Sequence, residues 1–153
     1  MDRTILDTDG LTILHRTVDE ARVTVIDGLF DAGLVRMLHT ILDRLPYSRT
    51  DYDTEDTPDN LHWMHEFSRK RLAENPVLRS WSDRVVEAAG AVFPERAPVL
   101  NRVSAHCQTF GSRQSAHTDL AGGVTALYYG NAEWDESWEG ETVFFDARRE
   151  AHS

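Results

Sequence analysis

Two short runs of β-branched and aromatic residues late in the chain constrain its fold more than any other feature. The first run, at residues 123–129, reads GVTALYY, and the second, at residues 141–145, reads ETVFF. Such residues favour extended backbone, and both faces of the first run carry side chains. Between the runs, Gly130, Asn131 and Gly140 are typical of turns. The sequence therefore predicts two strands joined by a turn.

A candidate metal-binding pair precedes the first of these strands. His117 and Asp119 flank Thr118, and residues two apart on an extended strand point to the same side, with Cα atoms about 6.5 Å apart. An imidazole and a carboxylate suit Fe(II), Mn(II) or Zn(II), and they are two of the three ligands in the facial triad of non-haem iron oxygenases. The spacing alone is weak, since seven histidines in an Asp-rich chain produce His-x-Asp by composition about half the time. The alternative is a loop histidine beside an exposed acid.

A third strand is predicted at residues 99–110, upstream of the pair. Its polar residues fall on both faces, which is unusual for a buried strand and fits one wall of a polar pocket. Cys107, the single cysteine, lies within this strand. We expect it to be a small buried apolar group, and a lone cysteine excludes an internal disulfide and fits a reducing compartment.

These segments together resemble the iron(II)/2-oxoglutarate-dependent dioxygenases, specifically their prolyl-4-hydroxylase-like branch. The resemblance covers about a third of the chain, at roughly residues 99–147. Its matching residues, in chain order, are Asn101–Val103, Gln108–Gly111, His117, Asp119, Tyr128–Asn131, Trp134, Trp138 and Glu139–Phe144. Glu139 departs from the pattern, because the branch usually has a glycine there, and we expect a looser turn.

The resemblance implies an α+β fold with a double-stranded β-helix core, a jelly roll or cupin-like barrel, backed by two N-terminal helices. Such a barrel has about eight strands, and the sequence predicts about four or five, so we expect an incomplete barrel with exposed strand edges. Residues 1–98 would form an N-terminal strand and helix support with a loop at 47–60. Residues 99–153 would form the N-terminal half of the barrel, within one domain.

The resemblance also implies an enzyme that hydroxylates an unactivated C–H bond, using O2 and decarboxylating 2-oxoglutarate to succinate and carbon dioxide. His117 and Asp119 would be the catalytic residues and would bind Fe(II). Tyr129, Asn101 and Gln108 would bind the cosubstrate 2-oxoglutarate. An amino acid, a peptidyl residue or another small molecule would be the substrate. The alternative for Tyr129 is a packed strand aromatic with its hydroxyl bound to backbone.

The family's distal histidine ligand, and the Arg or Lys that follows it, have no counterpart in this sequence. His152 is the one histidine after the pair, and it lies in a charged tract at residues 148–153, where the family has a connection. We therefore expect residues 1–153 alone to be inactive or nearly so. The alternative, from another class, is a non-catalytic, degenerate oxygenase-fold module that binds a partner or forms a homodimer through its strand edges. A zinc hydrolase-like site is disfavoured, because no general base lies beside the pair in sequence.

Upstream, the sequence predicts strands at residues 12–14 and 21–26 and two helices with apolar stripes. The first helix follows Asp31 and stops at Pro46, and the second follows Asn75 and Pro76. The stripe of the first helix contains Leu34, Val35, Leu38, Ile41, Leu42 and Leu45, and that of the second contains Leu78, Trp81, Val85, Ala88, Ala89, Val92 and Phe93.

Between the helices, residues 47–60 are acidic and rich in turn formers, which predicts a mobile loop, with a lid over the active site as an alternative. His62 and His65 would share a face on a helix and could then bind zinc. No third ligand follows nearby, so we favour an aromatic-rich segment that packs under the loop.

The net charge of −10 and the sequence pI of about 5.0 argue against nucleic acid or anionic membranes as partners, because phosphate binding needs clustered Lys and Arg. No apolar run approaches membrane-spanning length, and the N-terminus lacks the apolar core of a signal peptide. We expect a cytoplasmic protein.

Overall fold

The computed structural model describes most of the chain. The described residues are 4–8, 11–19, 21–52, 61–109, 112, 114–115, 117–119, 122–138, 140–146, 148 and 151–152. Within them the fold is α+β, with antiparallel sheets and three α-helices. The chain divides into two compact units, residues 1–31 with 139–153, and residues 32–138. The division expected at residues 98–99 separates a support region from the strands of a barrel within one domain. It is a different kind of division from these two units, and it stays a prediction.

The first unit contains a three-stranded antiparallel sheet in the order β1-β2-β3. Its strands are β1 (Thr4–Thr8), β2 (Leu11–Val18) and β3 (Ala21–Asp27). The strands predicted at residues 12–14 and 21–26 are confirmed, and the first is longer than its weak local signal because β2 is hydrogen-bonded on both sides. The β2–β3 hairpin turns at Asp19, whose φ of 52° is a left-handed value that Asp tolerates better than most residues.

The second unit contains another three-stranded antiparallel sheet, in which β5 lies between β4 and β6. The strands are β4 (Ser48–Tyr52), β5 (Leu61–Glu66) and β6 (Ser104–Cys107), and the helices are α1 (Ala32–Leu42), α2 (Arg69–Glu74) and α3 (Pro76–Val92). A short ladder of β7 (Phe144–Phe145) and β8 (Ala151–His152) belongs to the first unit.

Both predicted helices are confirmed. Helix α1 begins directly after Asp31 and buries Leu34 and Leu38, as its stripe predicts. Helix α3 begins at the predicted cap, where the Asn75 side chain accepts hydrogen bonds from the amides of Val77 and Leu78 at 3.0 and 3.1 Å. Leu78, only 2 % exposed, has the largest fully buried side chain among the described residues.

The prediction of a loop at residues 47–60 is only partly right, and the alternative of a helical zinc pair at His62 and His65 is not supported. Residues 48–52 of the predicted loop form strand β4, which pairs with β5, while residues 53–60 lie outside the described residues. The helix that would have brought His62 and His65 to one face does not form, because this segment is strand β5. Residues three apart on a strand point to opposite faces, and the buried His62 and the half-buried His65 do not form a zinc pair.

The predicted barrel strands are much shorter than expected, and a double-stranded β-helix is not confirmed. Among the described residues of the run at 99–110, only 104–107 are in a strand, and only residues 144–145 of the run at 141–145 are in one. The run at 123–129 is described throughout, yet no strand is formed there. A strand requires a hydrogen-bonded partner, and the described residues supply none for this run. Cys107 is exposed at the end of β6, so the prediction of a buried cysteine is wrong.

Among the described residues, no helix is both long enough and apolar enough to span a bilayer.

Candidate functional site

His117 and Asp119 lie in irregular chain after β6, not on the strand that their spacing predicted. Their side chains nevertheless point to the same side. Nε2 of His117 lies 3.7 Å from Oδ1 of Asp119, and the two side chains are 36 % and 54 % exposed. The two predicted ligands therefore meet at a position that an ion can enter from solvent.

The orientation of the His117 ring comes from a local hydrogen bond. Nδ1 donates to the carbonyl oxygen of Ser115 at 2.8 Å. A neutral imidazole that donates through Nδ1 has its lone pair on Nε2, which is the nitrogen that faces Asp119. Metal-binding histidines almost always donate their second ring nitrogen in this way, which sets the tautomer and holds the ring. The Ser115 carbonyl therefore holds the His117 ring with Nε2 toward Asp119.

The distance between the two atoms is slightly longer than that of two ligands on one ion. An imidazole nitrogen and a carboxylate oxygen each about 2.1 Å from a transition-metal ion are about 3.0 Å apart at an octahedral angle and about 3.4 Å apart at a tetrahedral one. The observed distance is 3.7 Å, so the two exposed side chains would move a few tenths of an ångström closer to share an ion. No cluster of three His, Cys, Asp or Glu side chains that could hold a metal occurs among the described residues. The assignment of His117 and Asp119 as metal ligands stays a prediction.

The residues predicted to bind 2-oxoglutarate are not brought to the pair by direct contacts. Asn101 and Gln108 are exposed at opposite ends of β6, and no hydrogen bond or ion pair among the described residues joins either of them to His117 or Asp119. Tyr129 is 53 % exposed and contacts Trp134 edge to face, with ring centres 5.9 Å apart. Their role in cosubstrate binding stays a prediction.

The tryptophan-containing turn carries an exposed aromatic cluster, which consists of Tyr129, Trp134 and Trp138. Trp134 contacts Trp138 with ring centres 6.4 Å apart, and both indoles are about half exposed, at 48 % and 53 %. A 3₁₀ turn at Glu136–Trp138 follows Asp135, whose Oδ1 accepts from the Ser137 amide at 2.8 Å. This bonding to Ser137 lowers the pKa of the Asp135 carboxyl, because hydrogen bonds to a carboxylate favour its charged form.

Two helices hold the chain just before this cluster. Nδ1 of His39 on α1 donates to the Gly130 carbonyl at 3.2 Å, and Trp81 on α3 packs edge to face against Tyr128 at 6.1 Å. Burial raises the pKa of the Tyr128 hydroxyl. Gly130 lies so close to Leu42 that a Cβ there would collide with the leucine Cδ1. A larger residue at position 130 would therefore have to displace the end of the half-buried Leu42 side chain.

A second polar cluster, absent from the sequence predictions, lies on the sheet of the second unit. It consists of Ser104, His106 and Asp51. The Ser104 hydroxyl lies 3.1 Å from Nε2 of His106, and Nδ1 of His106 lies 3.7 Å from Oδ2 of Asp51. Side chains alternate between the two faces of a strand, so the predicted strand at residues 99–110 already placed Ser104 and His106 on one face. Asp51 could not be found in this way, because its segment was predicted to be a loop.

No protein-family model, curated protein or solved structure matches this chain. The family resemblance therefore rests on the motif residues themselves.

Proposed function

We propose that the protein is a non-haem Fe(II)/2-oxoglutarate-dependent dioxygenase of the prolyl-4-hydroxylase-like branch, with His117 and Asp119 as two of its iron ligands. The observation that carries the proposal is the convergence of His117 Nε2 and Asp119 Oδ1 at 3.7 Å, with the ring held by the Ser115 carbonyl. The ordered motif around the pair, from Asn101 to Phe144, supports the choice of family.

The chain's own residues would bind and orient rather than perform the oxidation. His117 would coordinate the ion through a neutral ring nitrogen, and the carboxylate of Asp119 would offset part of the charge of a divalent ion. The Tyr129 hydroxyl, with Asn101 and Gln108, would donate hydrogen bonds to the 2-oxoglutarate carboxylate. When bound together, Fe(II), 2-oxoglutarate and O2 supply hydroxylation of an unactivated C–H bond with release of succinate and carbon dioxide. The substrate class remains an amino acid, a peptidyl residue or another small molecule.

Anaerobic titration of the protein with Fe(II) and 2-oxoglutarate tests the metal and cosubstrate sites together. The chelate has a weak visible charge-transfer absorption, which we expect to saturate with the wild-type chain and to disappear in Asp119→Ala. Asp83→Ala is the matched control, because Asp83 is an exposed carboxylate on α3, and it should retain the absorption. Equal absorption from Asp119→Ala and the wild type would remove the assignment.

A second candidate function, a non-catalytic module that dimerises with another copy of this chain, is supported by the exposed apolar surface. Leu127 is 61 % exposed, and Tyr129, Trp134 and Trp138 add three half-exposed aromatic rings. Contiguous exposed aromatic surface is typical of interaction sites. Strands β4 and β6 add sheet edges that no other described strand covers, and such edges accept further strands.

Sedimentation equilibrium distinguishes this second function. If the aromatic cluster forms the dimer interface, replacing Trp134 and Trp138 together with Ala should weaken dimerisation at least tenfold. Trp63→Ala, on an exposed tryptophan of β5, is the control. A monomeric wild type at all concentrations would exclude the dimerisation function.

A further inference from the structure

The polar cluster of Ser104, His106 and Asp51 has the order of contacts found in nucleophilic hydrolases. The serine hydroxyl lies 3.1 Å from Nε2 of the histidine, within hydrogen-bond distance. The other ring nitrogen faces the aspartate carboxylate at 3.7 Å, an ion-pair distance somewhat longer than a hydrogen bond. Catalytic hydrogen bonds are often long before substrate binds.

The sheet register explains why residues from two non-adjacent strands meet. Ser104 and His106 are two apart on β6, so they share a face. His106 is paired with Met64 on the central strand β5, and Asp51 on β4 is paired with His62. Cross-strand partners share a face, and positions 62 and 64 also share one. All three polar residues therefore lie on one face of the sheet, with the carboxylate and imidazole reaching across β5.

The two contacts are compatible with a single tautomer of His106. If Nδ1 carries the proton and points to the Asp51 carboxylate, Nε2 has a lone pair that accepts the Ser104 proton. This is the arrangement in which a histidine acts as general base and an aspartate holds the tautomer and stabilises the imidazolium. The His106 and Asp51 side chains are 32 % and 27 % exposed, so the cluster is partly shielded yet reachable from solvent.

Arg102 supplies a cation near this part of the sheet. It precedes Ser104 by two residues, and its Nε donates to Glu66 at 3.3 Å. Glu66 is the cross-strand partner of Ser104, so Arg102, through its ion pair, and Ser104, through the strand pairing, are both neighbours of Glu66. An arginine has five N–H donors, and those not used by Glu66 can stabilise negative charge that develops on a substrate oxygen.

We propose that Ser104, His106 and Asp51 form a second, metal-independent catalytic site that hydrolyses small activated acyl esters. His62, the cross-strand partner of Asp51, is only 3 % exposed, so this face is covered next to the cluster, and the limited room suits a short acyl group rather than a long chain. This activity is independent of the proposed dioxygenase function, since it uses none of the iron ligands.

The reaction consumes only the ester and one molecule of water. Oγ of Ser104 attacks the ester carbonyl carbon while its proton passes to Nε2 of His106, and Arg102 donates hydrogen bonds to the carbonyl oxygen as it becomes negative. The bond from carbon to the leaving alkoxide breaks, and the alkoxide takes the proton from Nε2. Water then repeats the attack on the acyl-serine, giving the carboxylic acid and the free serine.

Labelling of the metal-free wild-type chain with a fluorophosphonate tests the nucleophile directly. We expect one adduct, mapped by peptide mass spectrometry to Ser104, and hydrolysis of p-nitrophenyl acetate that EDTA does not change. Ser104→Ala should lose the adduct and at least tenfold in kcat/KM, and His106→Gln and Asp51→Asn should lose at least tenfold in kcat with KM nearly unchanged. Ser80→Ala, on an exposed serine of α3, should behave as the wild type.

The mapped adduct keeps the test decisive even if a variant fails to fold, because it needs only the wild-type chain. An adduct on any residue other than Ser104, or no adduct on the folded wild type, would overturn the proposal. Retention of the wild-type hydrolysis rate by a folded Ser104→Ala variant, with its circular dichroism spectrum unchanged, would do the same.

Discussion

Nε2 of His117 lies 3.7 Å from Oδ1 of Asp119, although neither residue is in a strand. The alternation of side chains along a strand predicted this convergence, but the structure achieves it in irregular chain. The hydrogen bond from His117 Nδ1 to the Ser115 carbonyl replaces the strand as the element that orients the ring. The site therefore depends on a local backbone contact rather than on a sheet.

The substitution His117→Ala should weaken the binding of a divalent metal ion in the absence of 2-oxoglutarate. Loss of a group that hydrogen-bonds to a metal ligand lowers metal affinity about 10- to 100-fold, so loss of the ligand itself should lower it at least tenfold. Mn(II) titration followed by electron paramagnetic resonance measures the free ion directly in wild type and His117→Ala. His15→Ala is the control, because His15 contacts Thr24 at 2.9 Å in the other unit, and unchanged Mn(II) binding by His117→Ala would contradict the site.

Gly130→Ala should lower the free energy of unfolding because the new Cβ collides with Leu42. Cδ1 is the end of a flexible, half-buried side chain that can turn aside, so the cost should lie at the low end of the usual range for overpacking, about 1 kcal/mol. In the double variant with Leu42→Ala the collision is removed, so the two effects should be less than additive by at least about 0.5 kcal/mol. Urea denaturation of the two single variants and the double variant measures this coupling.

Gly90→Ala is the matched control for that experiment. Gly90 lies within α3, and a Cβ there would meet nothing within 4 Å. Alanine in a helix is favoured over glycine by about 0.5–1 kcal/mol, so this variant should be more stable than the wild type. Destabilisation by both substitutions would show that the effect at Gly130 is not specific to Leu42.

Asn75→Ala should destabilise the second unit by about 1 kcal/mol, with a range of about 0.5–2 kcal/mol. The Asn75 side chain accepts from two amides at the start of α3, and alanine leaves both without this acceptor. Asp retains the acceptor oxygen and adds a charge that a helix N-terminus favours. Asn75→Asp should therefore be close to the wild type in chemical denaturation, and a loss as large as that of Asn75→Ala would contradict the capping role.

Acid should loosen the tryptophan-containing turn at an unusually low pH. Hydrogen bonding to Ser137 lowers the pKa of Asp135 below its ordinary value of 3.8. The carboxylate therefore stabilises the turn above the pKa of the unfolded chain, and this contribution is lost as pH falls through the lower folded pKa. Near-ultraviolet circular dichroism of Trp134 and Trp138 should follow that transition, and Asp135→Asn, whose neutral amide oxygen still accepts, should remove it.

The sequence by itself determined two of the three described α-helices, α1 and α3, and the pairing of the candidate metal ligands; α2 was not predicted. The start of α3 could be predicted because Asn75 and Pro76 act on the amides of the next turn, and the buried positions of α1 because they recur at helical spacing. Helical hydrogen bonds join residues four apart, so the information for them lies within a short stretch. His117 and Asp119 were found for a similar reason, since their convergence is a matter of three consecutive residues.

Beyond β2 and β3, which the sequence predicted, only the tertiary structure decided where strands form, because a strand needs a hydrogen-bonded partner elsewhere in the chain. Residues 123–129 have strong strand propensity and no paired strand among the described residues, while residues 48–52 have turn-forming composition and pair with β5. Cys107 is exposed because β6 ends there at the edge of its sheet. The contact between His106 and Asp51 likewise exists only because β4 and β6 flank the same central strand, a relationship that no local pattern contains.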